Sequence, residues 1–551
     1  MILPTHRPDA HVPVLIVGGG LVGLSASLFL AHNGIASLLV ERRPETSTHP
    51  KQYGMNVRGM ELLRSVGMEA AIFAAGNDLA HCKDCVIVTT LAQGELGRSP
   101  LPGLYEEDVW HFSPTYVRPC TQDKLEPLLL QAAQRLGRKL GSQWLFGTEL
   151  LSFEQNADGI SALLLNRATG EQLTIRSNYL IAADGANSAL RNTLGITTTE
   201  KWSGGYQANM YFRADLSALV RERAFAICLI THPEASGTLC PISNMDHWTF
   251  HVGYAPERGE TLKDFTLERC CHLIRQAIGI PDLDITLKSI LSWEAAACVA
   301  ESFSQGRVFL VGDAAHLMPP TGGFGASTGI QDAQNLAWKL ALVLNKQAHP
   351  ALLSTYDRER RPVAEFTVEQ ARLRWQTEVH RYGAEYAQEI EPGIAHDLVV
   401  SLGYHYVSQA IIAPRKAPPS LTQVELALDG HPGTRAPHCW LQHRGRRIST
   451  LDLFGRNFVL LTGPDGQDWR AAACSVAARL NLEIDVYCIG AEAELVDDPK
   501  NCWLAQAGIH NNGALLVRPD GFVGWRSRGG DAHPLQTLEQ VLSHILCWSA
   551  D

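Results

Sequence analysis

The chain has 551 residues, 45% hydrophobic and 19% charged, with a formal net charge of −10. Such a length exceeds one hydrophobic core and predicts two to four domains, and the acidic balance, without a Lys/Arg-rich run, argues against nucleic acid as a partner. The thirteen cysteines follow no framework, as in a reduced cytoplasmic enzyme. The amino-terminal stretch has no apolar leader and the first long apolar run is broken by four glycines, so neither secretion nor a membrane span is expected. HCKDC holds a CxxC at Cys82 and Cys85, but no second Cys/His pair stands at finger spacing, so no metal is expected.

The first element is the strand Val14 to Val17, which runs straight into the glycines of VLIVGGGLVG and then into a helix carrying Leu21, Leu24, Leu28 and Ala31 up to Gly34. Strand, tight turn and helix in this order predict a nucleotide site. Gly18 permits the turn, Gly20 lets the backbone approach a pyrophosphate, and Gly23 lets helix and strand pack closely. A second strand, SLLVE, ends in Glu41, a carboxylate that suits the ribose hydroxyls of FAD or NAD(H) and disfavours a 2′-phosphate. Residues 148–185 carry two turn signals, NADG and RATGEQ, between three strand-like runs, which predicts an antiparallel meander returning to the buried strand YLIAA. Between 200 and 300, alternating stretches such as YQANMYFRADL and HWTFHVGY predict a second, mostly antiparallel sheet able to cover a cofactor. RVFLVGDAAH returns to a buried strand and leads to a helix from about Ala326 to Leu344. RKAPPS at 415–420 reads as a linker, and the order β-α-β-β-β-α after about 430 predicts a small α/β domain. Its first loop, PDGQDW, has no CxxC, and Cys439 and Cys474 stand alone. Structural support or dimer contacts are therefore expected of it rather than disulfide chemistry.

Two further motifs join the first. YLIAADGANSALR places Asp184 and Gly185 at the end of a strand, where a DG pair also serves as an ordinary capped turn. GRVFLVGDAAHLMPPTGGFGASTGIQDAQNLAWKL takes a strand into Gly312-Asp313, then through Pro319, Pro320, Gly322, Gly323 and Gly325 into the long helix, whose free N–H groups and positive dipole end suit an anionic ring. In this order, the three motifs resemble the class A FAD-dependent aromatic hydroxylases of the para-hydroxybenzoate hydroxylase superfamily. The chain is most similar to the larger polyketide and phenol hydroxylases with an extra thioredoxin-like domain.

That resemblance implies an α/β and α+β fold with a Rossmann-like FAD-binding domain (1–80, 112–199 and 301–350) and an inserted antiparallel-sheet substrate domain (81–111 and 200–300). It also implies a helical segment at 351–414, a linker at 415–429 and a thioredoxin-like domain at 430–551. Gly18, Gly20 and Gly23 would hold the FAD pyrophosphate, Glu41 its ribose, and Arg42 would lie beside the adenosine. Arg58 would sit near the pyrophosphate, Gln122 and Asp313 at the ribityl chain, and Pro320, Gly323, Gly325 and Ala326 along the isoalloxazine. Asp184 and Gly185 would lie near FAD and a visiting NADPH or NADH. Many relatives carry Leu or Met then Asn where this chain has Ala326-Ser327. The implied activity is hydroxylation of a phenolic or polycyclic aromatic compound, such as an aromatic polyketide, by O2 through a flavin C4a-hydroperoxide. A Baeyer–Villiger or antibiotic-inactivating oxygenation uses the same chemistry, and a flavin-containing binding protein without turnover is the reading from another class. Tyr211, Arg213 and His251 in the second sheet, with His111 before it, are the candidate acids and bases, and His316 reads as a structural partner. A homodimer stands beside the monomer as an expected form.

Overall fold

The computed structural model describes residues 10–101, 109–243, 245–381, 393–413, 426, 428–491, 493–497 and 503–548. Its first sheet has eight strands. The path runs Ser304–Gln305, Val308–Leu310, Gln172–Ala182, Ala10–Val17, Ser37–Glu41 and Gln143–Phe146, with Thr148–Gln155 and Ile160–Asn166 joined through Gln172–Ala182. Val14, Leu15 and Ile16 are fully buried, as expected of a parallel strand covered on both faces. The meander is present, and its last strand serves two partners. Residues 172–177 run antiparallel to Ile160–Asn166, while residues 175–182 run parallel to Ala10–Val17. The side chains of Asn156 and Asn166 accept from backbone N–H groups two and three residues on, so the two turns form where the sequence places them.

Helix Leu21–His32 is buried along most of its length, which fits its place between the sheet and two further helices, Gln122–Gly137 and Phe324–Leu344. A helix that is apolar around its whole circumference has no solvent side to offer.

The second sheet, also of eight strands, runs His316–Leu317, Thr286–Val299, Trp202–Arg213, His247–Tyr254, Gly237–Pro241, Ile227–Ile230, Asp84–Val88 and Glu95–Pro100. Ala208, Met210, Phe212, Trp248 and Phe250 form one face, closed by Leu273, Ile274 and Ile278 of helix Leu267–Ile278. By period two, Gln207, Asn209, Tyr211, Thr249 and His251 belong to the opposite face. The short strand His316–Leu317, from the third motif, pairs with Cys298 and Val299 at the edge of this sheet. The same stretch of chain therefore touches both layers.

Helix Ser354–Arg381 and the shorter Asp397–Leu402 follow. Most of the predicted linker lies outside the described residues. The C-terminal sheet orders Ile484–Cys488, Phe458–Thr462, Ala514–Val517 and Val523–Ser527, the first pair parallel and the others antiparallel. Helices Gln467–Leu480 and Pro534–Ile545 pack on each other. A small sheet of Trp440–His443, Arg446–Ser449 and Val496–Asp497, absent from the sequence reading, precedes and flanks it. Among the described residues no helix is long and apolar enough to cross a membrane, and no cluster of His, Cys, Asp or Glu is arranged to hold a metal.

Candidate active site

The glycine loop leaves strand Ala10–Val17 with Gly18 at φ +113°. A Cβ at Gly18 would overlap the Ala183 carbonyl, and one at Gly23 would overlap the Gly18 carbonyl. Both glycines are required by packing of protein against protein. Gly20 differs, because the nearest atom to its Cβ would be Glu126 Oε1 at 3.8 Å. It caps helix Leu21–His32 with no side chain of its own, so the first N–H groups of the helix face open space. Glu41 closes the loop, accepting from Gly19 N at 2.7 Å and from Arg43 N at 2.9 Å. Arg42 beside it is exposed.

Two groups that sequence reasoning missed face the same space. Glu126 is buried, accepts from Ser47 N at 2.6 Å and Gln122 Nε2 at 2.6 Å, and its carboxyl is pushed up by burial. Lys51 is pushed down by burial and by Arg43, against the pull of Glu126, Asp313 and Glu41. One ammonium thus answers three carboxylates, although Lys51 belongs to no motif and no spacing marks it. The Gln122–Glu126 pair was readable only as an i,i+4 contact.

Asp313 follows Gly312, which lies at φ +58°. Water reaches Asp313, yet surrounding protein is dense enough to raise its carboxyl by burial, against His316 and Lys51. The turn carrying it is held from behind. Asp332 accepts from Gly312 N at 3.1 Å, His316 Nε2 at 2.7 Å and Arg360 Nε at 2.8 Å, and Arg191 Nη1 donates to Ala314 O at 3.0 Å. His316 is accordingly a buried structural partner. After Pro320, Gly322 and Gly323 adopt positive φ, and Gly323 caps the 21-residue helix Phe324–Leu344 with no side-chain bond. A Cβ at Gly325 would make only ordinary contact with Met318. Ala326 is half-buried, and Ser327 Oγ accepts from Asn56 N at 3.0 Å. The serine thereby joins this helix to helix Val57–Ser65, which begins after Asn56.

The loop that carries Lys51 also reaches the polar face of the second sheet. His49, from the loop after Ser37–Glu41 and two residues before Lys51, reaches Ser289 Oγ at 2.7 Å through Nδ1. Its ring lies edge-on to Tyr211 with centroids 5.8 Å apart, and Tyr211 is flanked by His247 at 5.9 Å. Burial pushes His49 down to about 4, with Lys51 adding to it. Asn209 lies close enough to favour the charged imidazole, yet His49 Nε2 and Asn209 Oδ1 both lack an ordinary hydrogen bond. His251 is pushed down to about 4 by burial and by His49, and its Nδ1 accepts from Trp293 Nε1 at 3.3 Å. Trp293 in turn meets Trp375, centroids 6.0 Å apart. Burial raises the Tyr211 phenol. His49, Tyr211, His251 and Trp293 therefore form a wall that is aromatic, hydrogen-bonding and uncharged near neutral pH.

Several expected site residues spend their side chains on other protein groups. Arg58 does not face the glycine loop: it donates to Glu61 Oε2 at 2.8 Å and to Asp520 O at 2.7 Å, and its guanidinium lies 5.4 Å from the Phe522 ring. A buried cation needs such partners, and with Asp520 and Phe522 among them Arg58 belongs to the contact with the C-terminal domain. Asp184 uses its carboxylate as a turn cap, accepting from Ser188 Oγ at 2.6 Å and Leu190 N at 3.1 Å. Gly185 keeps the left-handed conformation at φ +83° with open space around it. Gln122 gives its amide to Glu126. Arg213 pairs with Asp246 at 2.9 Å in an exposed setting at the end of its strand, away from His49. His111 is exposed, in a cleft with Trp110 and Trp440. Cys82 and Cys85 are buried and outside any disulfide.

The residues present fit FAD. Beside a helix start with no side-chain cap, the carboxylates Glu41, Glu126 and Asp313 all act on Lys51, a second helix start with no side-chain cap follows the Asp313 turn, and a Cβ at Gly20 would meet only Glu126, at 3.8 Å. Residues 11–371 match the family model described as "FAD binding domain", and residues 429–547 match "Aromatic-ring hydroxylase, C-terminal". The chain belongs to the FAD-binding aromatic-ring hydroxylases. It is 43% identical to a putative polyketide hydroxylase of Streptomyces halstedii, over 97% of this chain and 96% of the relative. It is 40% identical to tetracenomycin A2 monooxygenase-dioxygenase of Streptomyces glaucescens, over 97% of each. Among solved structures, aklavinone-11 hydroxylase in a ternary complex with FAD and aklavinone superposes with a TM-score of 0.86 at 36% identity, covering 98% of this chain and all of the other. This hydroxylase is therefore an FAD-dependent oxidoreductase, as its motifs imply.

Proposed function

We propose that this hydroxylase inserts one oxygen atom of O2 into a polycyclic phenol of the aromatic polyketide class, with NADPH or NADH as the visiting reductant. The observation that carries this reading is the uncharged aromatic wall of His49, Tyr211, His251 and Trp293, tied to the carboxylate Asp313 through Lys51, two residues from His49. Similarity to enzymes named for tetracenomycin and aklavinone supports the same substrate class. When bound, FAD takes two electrons from the nicotinamide and activates dioxygen. Overall, NAD(P)H, a proton, O2 and the arene give NAD(P)+, water and the phenol.

The chain's own residues divide the remaining work. Gly20 and the helix start behind it hold the pyrophosphate, Glu41 the ribose and Asp313 the ribityl hydroxyls, while Lys51 offsets the carboxylates around them. The start of helix Phe324–Leu344 presents free N–H groups and a positive dipole end, which favour negative charge on a reduced isoalloxazine. Tyr211, which is partly exposed, donates to or accepts from the phenolic oxygen, and His49, edge-on behind it on an imidazole that stays neutral above about pH 4, takes the phenolic proton once the bound ring opens a path to its buried Nε2. Withdrawing that proton raises the electron density of the ring. The described cysteines stand outside disulfides, which supports a cytoplasmic setting.

Incubation with FAD, 18O2, and NADPH or NADH in parallel, over a panel of hydroxylated naphthoquinones and anthraquinones, tests the proposal. One labelled oxygen atom in the product and substrate-stimulated nicotinamide oxidation are expected. Label inserted beside a ketone as a lactone, or no stimulated oxidation with any ring system, contradicts it.

A further inference from the structure

Behind the flavin-facing turn lies a polar cluster that the proposed reaction does not use. Arg518 of the C-terminal domain grips Glu359 of helix Ser354–Arg381 with both terminal nitrogens, at 2.7 and 2.8 Å. Its Nε donates to Asp520 Oδ1 at 3.1 Å. Asp520 Oδ2 accepts from Asn335 Nδ2 at 3.2 Å and Trp338 Nε1 at 3.3 Å, both on helix Phe324–Leu344. Lys339 Nζ, on that same helix, donates to Glu359 Oε2 at 2.7 Å. The side chains of Arg518, Glu359, Lys339, Arg360 and Asp332 have no exposed surface.

The cluster is continuous with the cofactor site through one peptide unit. Glu359, gripped by the C-terminal domain, is followed by Arg360, whose Nε donates to Asp332 Oδ1. The other oxygen of Asp332 accepts from Gly312 N and His316 Nε2, and Gly312 precedes Asp313. Arg360 also donates to Thr328 O and Gln331 Oε1, each at 3.2 Å, near the start of the long helix. Replacing ion pairs of this depth with apolar contacts of similar volume is frequently neutral or stabilising. Their presence here therefore calls for a role in fixing a particular geometry.

We propose that Arg518 and Asp520 of the C-terminal domain are positioning residues for the flavin site, holding the Gly312–Asp313 turn and the start of helix Phe324–Leu344 through Glu359, Arg360 and Asp332. The domain lacks a CxxC, yet it acts on the oxidation chemistry as a clamp. The inference rests on FAD occupying the site described above. It adds a role for a domain 200 residues away in sequence.

The test uses the full chain, with FAD affinity, flavin spectrum and stability read separately. In R518M and D520N, apoprotein that is folded by circular dichroism and gel filtration is titrated with FAD at a temperature well below its melting point. The expected result is at least a tenfold weaker Kd and an altered visible spectrum of the bound flavin, with R518K restoring part of both. As a comparison, R479M removes an exposed pair with Glu539 in the same domain and is expected to leave Kd and spectrum unchanged. If R518M and D520N lower the melting temperature but bind FAD with wild-type affinity and spectrum, the cluster is only structural and the proposal is overturned. If none of the proteins, wild type included, binds FAD, the cofactor assignment itself falls. Should R518M fail to fold, D520N, which removes charge with little change in volume, decides the matter alone.

Discussion

Gly18 and Gly20 stand two positions apart in one motif, but different neighbours require them. Gly18 meets the Ala183 carbonyl and lies at positive φ, so Gly18→Ala is expected to unfold the loop locally, cost about 2 kcal/mol or more, and lose FAD. Gly20 has only open space before it, so Gly20→Ala should leave the melting temperature within about 1 °C and still weaken FAD binding severalfold; thermal melts of apoprotein beside FAD titrations separate the two. His49 makes a second residue-scale case, because neither spacing nor motif singled it out. It stands in the polar loop STHPKQY and becomes meaningful only when the chain brings it onto Tyr211 and Ser289. His49→Asn is expected to lower kcat at least tenfold with little change in FAD affinity, and to remove an acid limb near pH 4 from the kcat profile. An unchanged profile would assign His49 to packing.

At the scale of elements, the sequence was readable wherever local chemistry and tertiary role agreed. The first strand, its helix, SLLVE and the meander follow from periodicity and turn residues, and the long helix begins two residues before the reading placed it, at Phe324. What was not readable depends on which way a side chain turns from its element. Arg58 is expected near the pyrophosphate, and helix Val57–Ser65 aims its guanidinium at Asp520; Asp184 lies beside Gly18 as expected of a residue near the cofactor, but its carboxylate caps its own turn. The sheet face was foreseeable by alternation at Tyr211, whereas Arg213, two residues on, ends the strand and pairs with Asp246. The helix start itself is testable. Gly323 sits at φ +63° in open space, so Gly323→Ala should cost about 1–2 kcal/mol from left-handed strain alone, measured by urea unfolding of apoprotein, without a steric clash.

Over the whole molecule, burial of neutral imidazoles in separate regions makes stability depend on pH. His49 and His251 are pushed down to about 4, and His438, in the C-terminal domain, to about 3. In the unfolded chain these groups protonate near 6.5, so the unfolded state binds more protons and stability falls as pH drops from about 6.5 toward 5. The loss is up to about 2 kcal/mol per histidine. Asp313 and Glu126, raised by burial, act in the opposite direction, adding stability as pH falls toward their ordinary values of 3.8 and 4.5. Urea midpoints at pH 7 and pH 5 should therefore differ clearly, and His438→Asn should reduce the difference. The account as a whole rests on one spatial arrangement, with the flavin between the glycine loop, Asp313 and the start of the long helix, facing the histidine and tyrosine wall. A crystal structure of the protein with FAD and a hydroxylated anthraquinone tests it directly. The ligand is expected to lie between the isoalloxazine and the His49–Tyr211 face with its phenol oxygen in hydrogen-bond reach of one of them; a ligand on another surface, or a flavin away from Gly20 and Asp313, would contradict the account.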